Sequence, residues 1–204
     1  MILVGRLGSP FVRRVAITLR LYGIAYEHRA LSASEPSERA QLREINPLVR
    51  VPALITEDVG TLVDRATILD YIDRLVGSEK ALLPASGLER THIMALTGIV
   101  IGAAEKAVSA YDETGKWPAQ KVHKPLLDQY LEQSADGFDA IEREAGGPWL
   151  MGDTMAQLDV TAVACWDFAM WVRAPDAPPL VCPKLAALSA HANTLPAFAQ
   201  TLPS

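Results

Sequence analysis

The sequence predicts two domains of different class: an α/β domain with the element order βαβαββα, followed by an all-α helical bundle. Three observations give this prediction. Segments of β type occur only in the first third of the 204-residue chain, long helical periodicities fill the remainder, and a stretch rich in Gly, Pro and Ser separates the two. We therefore place the domains at residues 1–78 and 87–204.

The first half of the α/β domain is predicted as strand, helix, strand, helix. An apolar segment over residues 1–5 precedes Pro10, which occupies a favoured first-turn position and is followed by an apolar stripe. Gly23 ends this helix. Residues 26–31 alternate as a strand does, and residues 35–45 have a helical composition.

A hairpin and a third helix complete the α/β domain. Residues 51–56 and 61–63 are predicted strands, and the turn between them contains Asp58 and Gly60. Residues 66–76 form a periodic amphipathic helix. Beyond the linker, long helical patterns cover residues 88–111, 118–143 and 157–172, with shorter ones at 183–192 and near the C-terminus.

Composition and charge indicate a globular protein whose ligand is small. Half of the residues are apolar, 21% are charged, and the formal net charge is -5, which is unfavourable for binding nucleic acid or an anionic membrane. Gly5 interrupts the first apolar residues too early for a signal peptide, and we expect no apolar run of membrane-spanning length. Cys165 and Cys182 lack paired spacing, so neither a disulfide framework nor a metal site is predicted. We expect a cytoplasmic protein without nucleic-acid or membrane partners.

Ser9 stands at the predicted junction of the first strand and the first helix. Its hydroxyl would lie at the positive end of a helix, where the pKa of a bound thiol is lowered and the resulting thiolate can accept a hydrogen bond. The alternative is that Ser9 only caps the helix, which is the commoner role of serine at a helix start. Taken alone, the position favours the cap.

Pro52 lies at the start of the third strand, where it removes one ladder hydrogen bond. If the bond between Val51 and Pro52 is cis, the Val51 N–H and C=O turn outward and can pair with an extended peptide. The alternative is an ordinary trans proline that enters an edge strand, which is the commoner isomer.

A third feature is the direct passage from strand to helix at Asp64 and Arg65. The first-turn amides of that helix form a second potential anion site. The alternative is a capped helix, in which Asp64 bonds the N–H groups behind it and Arg65 is solvated.

In this order and spacing, the three features resemble the glutathione transferase superfamily, and the resemblance covers essentially the whole chain. The run over residues 9–15 is similar to that of many bacterial serine-type members. The Gly152-Asp153 and Leu158-Asp159 pairs resemble the family's signature before the core helix of its second domain. The resemblance implies a thioredoxin-like N-terminal domain that binds glutathione and a helical domain that contributes the second-substrate site.

The resemblance also implies a role for each candidate site residue. Ser9 is expected to be catalytic, with its hydroxyl donating to the glutathione sulfur. Val51 and Pro52 would bind the cysteinyl backbone through a cis-proline, and Asp64 would hold the γ-glutamyl end. The full expected glutathione site comprises Phe11, Arg50, Val51, Pro52, Asp64 and Arg65.

Three positions depart from the family pattern. Arg65 stands where the family usually has a serine against the glutathione carboxylate, so the guanidinium either grips that carboxylate or turns into solvent. Val49 replaces a frequent glycine, from which we expect a loop without a positive φ angle. Ala156 replaces a Ser or Thr N-cap, and Thr154 with Gln157 predicts a shifted capping box.

The implied activity is transfer of the glutathione thiolate to a small apolar electrophile by a homodimer, with glutathione as co-substrate. Small residues around Ala107 and the side chain of Tyr111 are candidates for the second-substrate site, although helix packing is the better explanation of each. A non-catalytic member, an isomerase, a dehalogenase and a thiol oxidoreductase are alternatives in the same fold. The last is opposed by Ser9 in place of a cysteine and by Val12, which removes any Cys-x-x-Cys motif.

Overall fold

The computed structural model describes residues 1–203, and its contacts divide the chain into two compact units. The first unit consists of residues 1–85 together with residues 193–203, and the second of residues 86–192. The segment 193–203, predicted as part of the helical domain 87–204, packs with the first unit instead. Ser204 lies outside the described residues.

A four-stranded sheet with helices on both faces forms the first unit. The strand order is β2-β1-β3-β4, in which β1 pairs parallel with β2 and antiparallel with β3, and β3 pairs antiparallel with β4. This arrangement confirms the predicted thioredoxin-like βαβαββα order. The elements are β1 (Ile2–Val4), α1 (Pro10–Leu21), β2 (Glu27–Arg29), α2 (Pro36–Ile45), β3 (Ala53–Thr56), β4 (Gly60–Val63) and α3 (Arg65–Val76).

The two faces of the sheet carry separate apolar clusters because consecutive strand residues point to opposite sides. Leu3 packs with buried residues of α1 and α3, including Val15 and Ile68. Its neighbour Val4 packs on the other face with Leu42 of α2. The sheet thus fixes where β1 ends and where β3 begins. Candidate site residues lie just after the end of β1 and just before the start of β3.

Residues 193–203 complete the first unit by packing against α1. The short helix α8 (Pro196–Ala199) packs against α1, and Phe198 is fully buried. Arg13, which is 1% exposed, donates a hydrogen bond of 2.8 Å from Nη2 to Oδ1 of Asn193. The first turn of α1 is therefore held by a segment that is distant in sequence.

The second unit is a bundle of helices. Helix α4 packs along α5 and α6, and α6 packs against α7. Its helices are α4 (Gly87–Lys116), a short 3-10 helix (Ala119–Lys121), α5 (Lys124–Glu144), α6 (Gln157–Val172) and α7 (Pro183–Ala192).

Helix α4 corrects the expectation that no apolar segment reaches membrane-spanning length. Its 30 residues are long and apolar enough, by length and composition alone, to cross a membrane. Its buried residues include Ile93, Leu96 and Val100, and the helix packs along α5 and α6. These buried residues form the face of α4 that packs in the core of the helical unit, and 39% of its most apolar 18-residue window is buried.

Asp159 caps α6, in place of the predicted box between Thr154 and Gln157. The helix begins at Gln157, and the Asp159 carboxylate accepts hydrogen bonds of 2.7 Å from the N–H groups of Ala156 and Leu150. Burial raises the pKa of the Asp159 carboxyl, and the two backbone donors oppose that rise by stabilising the charged form. The residues around Asp159 that resemble the family signature thus have a structural role in fixing the start of α6.

Candidate functional site

The N-terminus of α1 presents the Ser9 hydroxyl. Ser9 is the N-cap residue with extended backbone angles (φ -75°, ψ 124°), and its C=O accepts a hydrogen bond of 2.9 Å from the N–H of Arg13. Its side chain makes no capping bond, and within residues 1–203 the hydroxyl has no hydrogen-bond partner. The structure therefore differs from the capping alternative and leaves this donor available at the positive end of a helix.

The peptide bond between Val51 and Pro52 is cis. Pro52 is buried immediately before β3, and Val51 is half-buried. Within residues 1–203, neither the N–H nor the C=O of Val51 takes part in a hydrogen bond. Both groups can therefore pair with an extended peptide ligand.

Asn46, which is not among the predicted site residues, holds the loop that leads to Val51. Its side chain is buried, its Nδ2 donates 2.9 Å to the C=O of Arg50, and its Oδ1 accepts 3.0 Å from the N–H of Leu48. The Asn-Pro pair at the start of the loop was a usable signal, because an Asn side chain often bonds backbone groups a few residues on.

Val49 corrects the expectation that its loop has no positive φ angle. Its φ is 52°, a conformation that is unusual for a β-branched residue. The Val49 N–H donates 2.8 Å to the C=O of Asn46, and its side chain packs in the apolar cluster with Leu31 and Leu42. Burial of the side chain and closure of the turn offset the unfavourable backbone angle.

Gly5 brings the loop of Val51 close to α1. Its φ is 128°, and a Cβ atom added there would lie 2.6 Å from Cγ2 of Val12 and 2.8 Å from Cβ of Val51. A side chain at this position would separate the two segments. The absence of a side chain at Gly5 therefore allows the first turn of α1 to pack against the Val51 loop.

Asp64 and Arg65 form the start of α3. The Asp64 backbone is strained, and its side chain is hydrogen-bonded. Asp64 has φ 72° and ψ 131°, and its Oδ1 accepts 2.8 Å from the N–H of Ala66. Such backbone angles cost about 1–3 kcal/mol in a residue other than glycine and occur most often at ligand-binding sites. The Asp64 carboxylate thus caps its own helix and is held at a defined position.

Arg65 is not solvated, which differs from one of the two alternatives given by the sequence. Its guanidinium carbon lies 4.4 Å from the ring centroid of Phe11, and its Nη1 lies 3.8 Å from Oδ2 of Asp64. The side chain is only 14% exposed. A cation over an aromatic face and next to a carboxylate is held by both, so the first turns of α1 and α3 are joined.

Five of the seven predicted site residues line one cleft of the first unit. They are Arg50, Val51, Pro52, Asp64 and Arg65. Phe11 adjoins this cleft through its contact with Arg65. Ser9 is not among the lining residues and lies two positions before Phe11, at the same end of α1. The cleft offers an anion, a cation and an unpaired peptide group, which together suit a small zwitterionic peptide.

Comparison with known proteins identifies the family. Residues 3–80 match the family model for the N-terminal domain of glutathione S-transferases. The GST-like protein YibF of Escherichia coli is 30% identical over 163 residues, which cover 80% of this chain and 78% of YibF. The chain belongs to the glutathione transferase superfamily.

Two further relatives cover this glutathione transferase superfamily member from end to end. A probable maleylacetoacetate isomerase of Vibrio cholerae is 25% identical over 219 residues, covering 100% of this chain and 95% of the relative. A glutathione transferase family member from Pseudomonas fluorescens, crystallised with bound glutathione, superposes with a TM-score of 0.85 at 25% identity over 100% of this chain and 98% of that chain. These likenesses confirm the predicted superfamily and its two-part fold.

Both cysteines of this superfamily member are poorly suited to thiol chemistry. Cys165 and Cys182 are free and buried, and burial together with nearby Glu142 and Asp139 raises the pKa of Cys182 to about 11. Within residues 1–203, no group of three or more His, Cys, Asp or Glu side chains is arranged to hold a metal ion.

We expect iodoacetamide at about pH 8 to label neither cysteine of the folded protein in the time that it fully labels free cysteine. The reason is that only an exposed thiolate reacts quickly. Mass spectrometry after a timed reaction measures the modification. Labelling in denaturant, where both thiols are exposed, is the positive control. Rapid labelling of the native protein would contradict the buried positions and would reopen the thiol oxidoreductase alternative.

Proposed function

We propose that the protein is a cytoplasmic enzyme that binds glutathione in its first unit and transfers the glutathione thiolate to a small apolar electrophile. The observation that carries this proposal is the cleft in which the Val51 peptide group lies beside the Asp64 and Arg65 pair. Glutathione bound to the Pseudomonas fluorescens relative supports the choice of ligand.

The cysteinyl backbone and the two charged groups of the γ-glutamyl residue each have a matching group in this cleft. The cysteinyl backbone pairs with the N–H and C=O of Val51, which have no other partner within residues 1–203. The Asp64 carboxylate accepts from the γ-glutamyl ammonium group, and the Arg65 guanidinium donates to the γ-glutamyl carboxylate. The Asp64 side chain is 55% exposed and therefore accessible to a ligand.

Ser9 acts on the sulfur as a hydrogen-bond donor. The hydroxyl and the positive end of α1 stabilise the thiolate relative to the thiol, so the thiol proton passes to solvent. With an aryl halide, the thiolate forms a sulfur–carbon bond and the halide leaves with the electron pair of the broken carbon–halogen bond. The protein needs no nucleophile of its own for this reaction.

Glutathione-dependent isomerisation is a second candidate, because the relative in Vibrio cholerae is a probable maleylacetoacetate isomerase. The same thiolate would add reversibly to a double bond and leave after rotation about it. Turnover of chlorodinitrobenzene and of maleylacetoacetate, each with glutathione, distinguishes the two activities. Product formation only with the aryl halide supports conjugation, only with maleylacetoacetate supports isomerisation, and with neither while glutathione binds supports a non-catalytic binding role.

We further propose that the protein is a homodimer, as the family implies. Light scattering at micromolar concentration is expected to give about twice the chain mass of 22.1 kDa. Dilution over two orders of magnitude serves as the control for concentration-dependent association. A mass that stays near 22.1 kDa at every concentration would refute the dimer.

A further inference from the structure

The first unit contains a second cleft, with a volume of about 540 Å³, which we call the α8 cleft. It is bounded by the last turn of α1, by the chain that enters β2, and by α8. All of its lining residues belong to the first unit, and none of them lines the cleft of Val51 and Arg65, the glutathione cleft. Clefts of about 300–1,000 Å³ commonly hold a small-molecule ligand.

The charge of the α8 cleft is opposite in sign to that of the whole protein. The formal net charge of the chain is -5. Arg20 and His28 nevertheless line the cleft, and among its described lining residues there is no Asp or Glu. A negatively charged ligand is therefore favoured in this cleft over a neutral or a cationic one.

Both of these side chains are held by neutral acceptors. The Arg20 guanidinium donates from Nη1 to Oε1 of Gln200, and His28 donates 2.8 Å from Nε2 to the C=O of Gly5. Neither side chain takes part in an ion pair within residues 1–203. Other arginines of the same unit do pair with a carboxylate, namely Arg6, Arg29 and Arg74. The two bonds thus fix Arg20 and His28 without neutralising a positive charge on either.

Tyr26 adds a hydroxyl group and part of an apolar wall. Tyr26, Leu7 and Ile24 all line the cleft and pack against the apolar cluster formed by α1, α3 and the sheet. The Tyr26 hydroxyl has no hydrogen-bond partner in the described part of the chain. The cleft therefore combines a guanidinium, an imidazole and a phenolic hydroxyl with an apolar surface.

A phosphate monoester matches this set of groups better than a carboxylate does. It carries close to two negative charges at neutral pH and has three acceptor oxygens, whereas a carboxylate carries one charge on two oxygens. The Nε and Nη2 groups of Arg20 make no hydrogen bond to any residue from 1 to 203, so they can donate in parallel to two phosphate oxygens.

We propose that the α8 cleft binds a small phosphate monoester, with Arg20, Tyr26 and His28 around the phosphate group. The apolar body of the ester lies against Leu7 and Ile24. No bond is made or broken in this binding. The proposal is independent of the proposed function, because it involves no residue of the glutathione cleft.

Calorimetric titration without glutathione tests the proposal with phenyl phosphate, inorganic phosphate and benzoate. Phenyl phosphate should bind most tightly, because inorganic phosphate lacks the ring and benzoate lacks the second charge. We expect Arg20→Gln to weaken phenyl phosphate binding about ten- to a hundredfold, and Tyr26→Phe about three- to tenfold. Arg43→Gln is the matched control, since Arg43 also lies in the last turn of its helix but does not line the cleft.

A variant that fills the α8 cleft shows where phenyl phosphate binds. Ala25 is exposed and lines the cleft, so Ala25→Trp should abolish binding, and Ala197→Trp serves the same purpose if the first variant does not fold. Equal affinities for the wild type and Arg20→Gln would overturn the anion contact. Tighter binding of benzoate would overturn the ligand class. Retained binding in a folded filled variant, or no binding to the wild type, would overturn the site.

Glutathione is titrated separately, with and without saturating phenyl phosphate. Its affinity should be the same in both titrations, because the two clefts share no lining residue. Competition between the two ligands would place phenyl phosphate in the glutathione cleft and would overturn the proposal. If phenyl phosphate binds as expected and glutathione does not bind at all, the proposed function fails while the α8 cleft is supported.

Discussion

Replacing Ser9 with Ala is expected to slow glutathione conjugation about ten- to a hundredfold, because the thiolate loses a charge-assisted hydrogen bond that contributes about 1.5–3 kcal/mol. The Ser9 hydroxyl has no partner within residues 1–203, so its removal leaves no group of the protein unpaired. The fold should therefore be unaffected. The kcat and KM with chlorodinitrobenzene, together with the pH dependence of thiolate absorbance in the glutathione complex, measure the effect.

Ser86 provides a matched control for this experiment. It is the N-cap residue of α4, it also has an extended backbone, and its side chain also makes no capping bond. Ser86→Ala should leave turnover unchanged. If Ser9→Ala turns over at the wild-type rate, or if the pKa of bound glutathione is the same in both proteins, Ser9 does not activate the sulfur.

Replacing Arg65 with Ala is expected to weaken glutathione binding about ten- to a hundredfold, the size of a lost hydrogen bond between two charged groups. The side chain is already held between the Phe11 ring and the Asp64 carboxylate, so little side-chain entropy is lost when it meets a ligand. Calorimetric titration with glutathione measures the dissociation constants.

An analogue with an amidated γ-glutamyl carboxylate separates direct contact from indirect positioning. The loss caused by Arg65→Ala should shrink markedly for this analogue, because only glutathione itself offers the carboxylate. Arg74→Ala is the control on the same helix, since Arg74 lies in the last turn of α3 and pairs with Asp70. Equal glutathione affinities for the wild type and Arg65→Ala would show that the Arg65 side chain does not contribute to glutathione binding.

Local patterns in the sequence predicted most of the elements. The apolar periodicity of residues 157–172 and 183–192 gave the bounds of α6 and α7, and Pro10 and Gly23 marked the ends of α1. Helix α4 extends five residues beyond its predicted end at Tyr111, to Lys116. Its last turn is polar and carries an ion pair between Asp112 and Lys116, which apolar periodicity does not detect.

The remaining features depend on contacts between residues far apart in the chain. The positive φ of Val49 opposes the preference of a β-branched residue and is stabilised by a turn and by burial. The stacking of Arg65 on Phe11 joins two helices that are separated in sequence by β2, α2 and the β3–β4 hairpin. Neither feature follows from local propensity, because each depends on contacts that form only when the sheet brings distant segments of the chain together.

Residues 193–203, which pack on α1, also affect the order in which the protein can fold. Because domains tend to fold as they emerge from the ribosome, residues 1–85 would be exposed about a hundred residues before Asn193 and Phe198 are synthesised. In topological terms the helical unit is an insertion within the first unit. The unit that carries the candidate site is therefore begun before the helical unit is synthesised and is completed only after it.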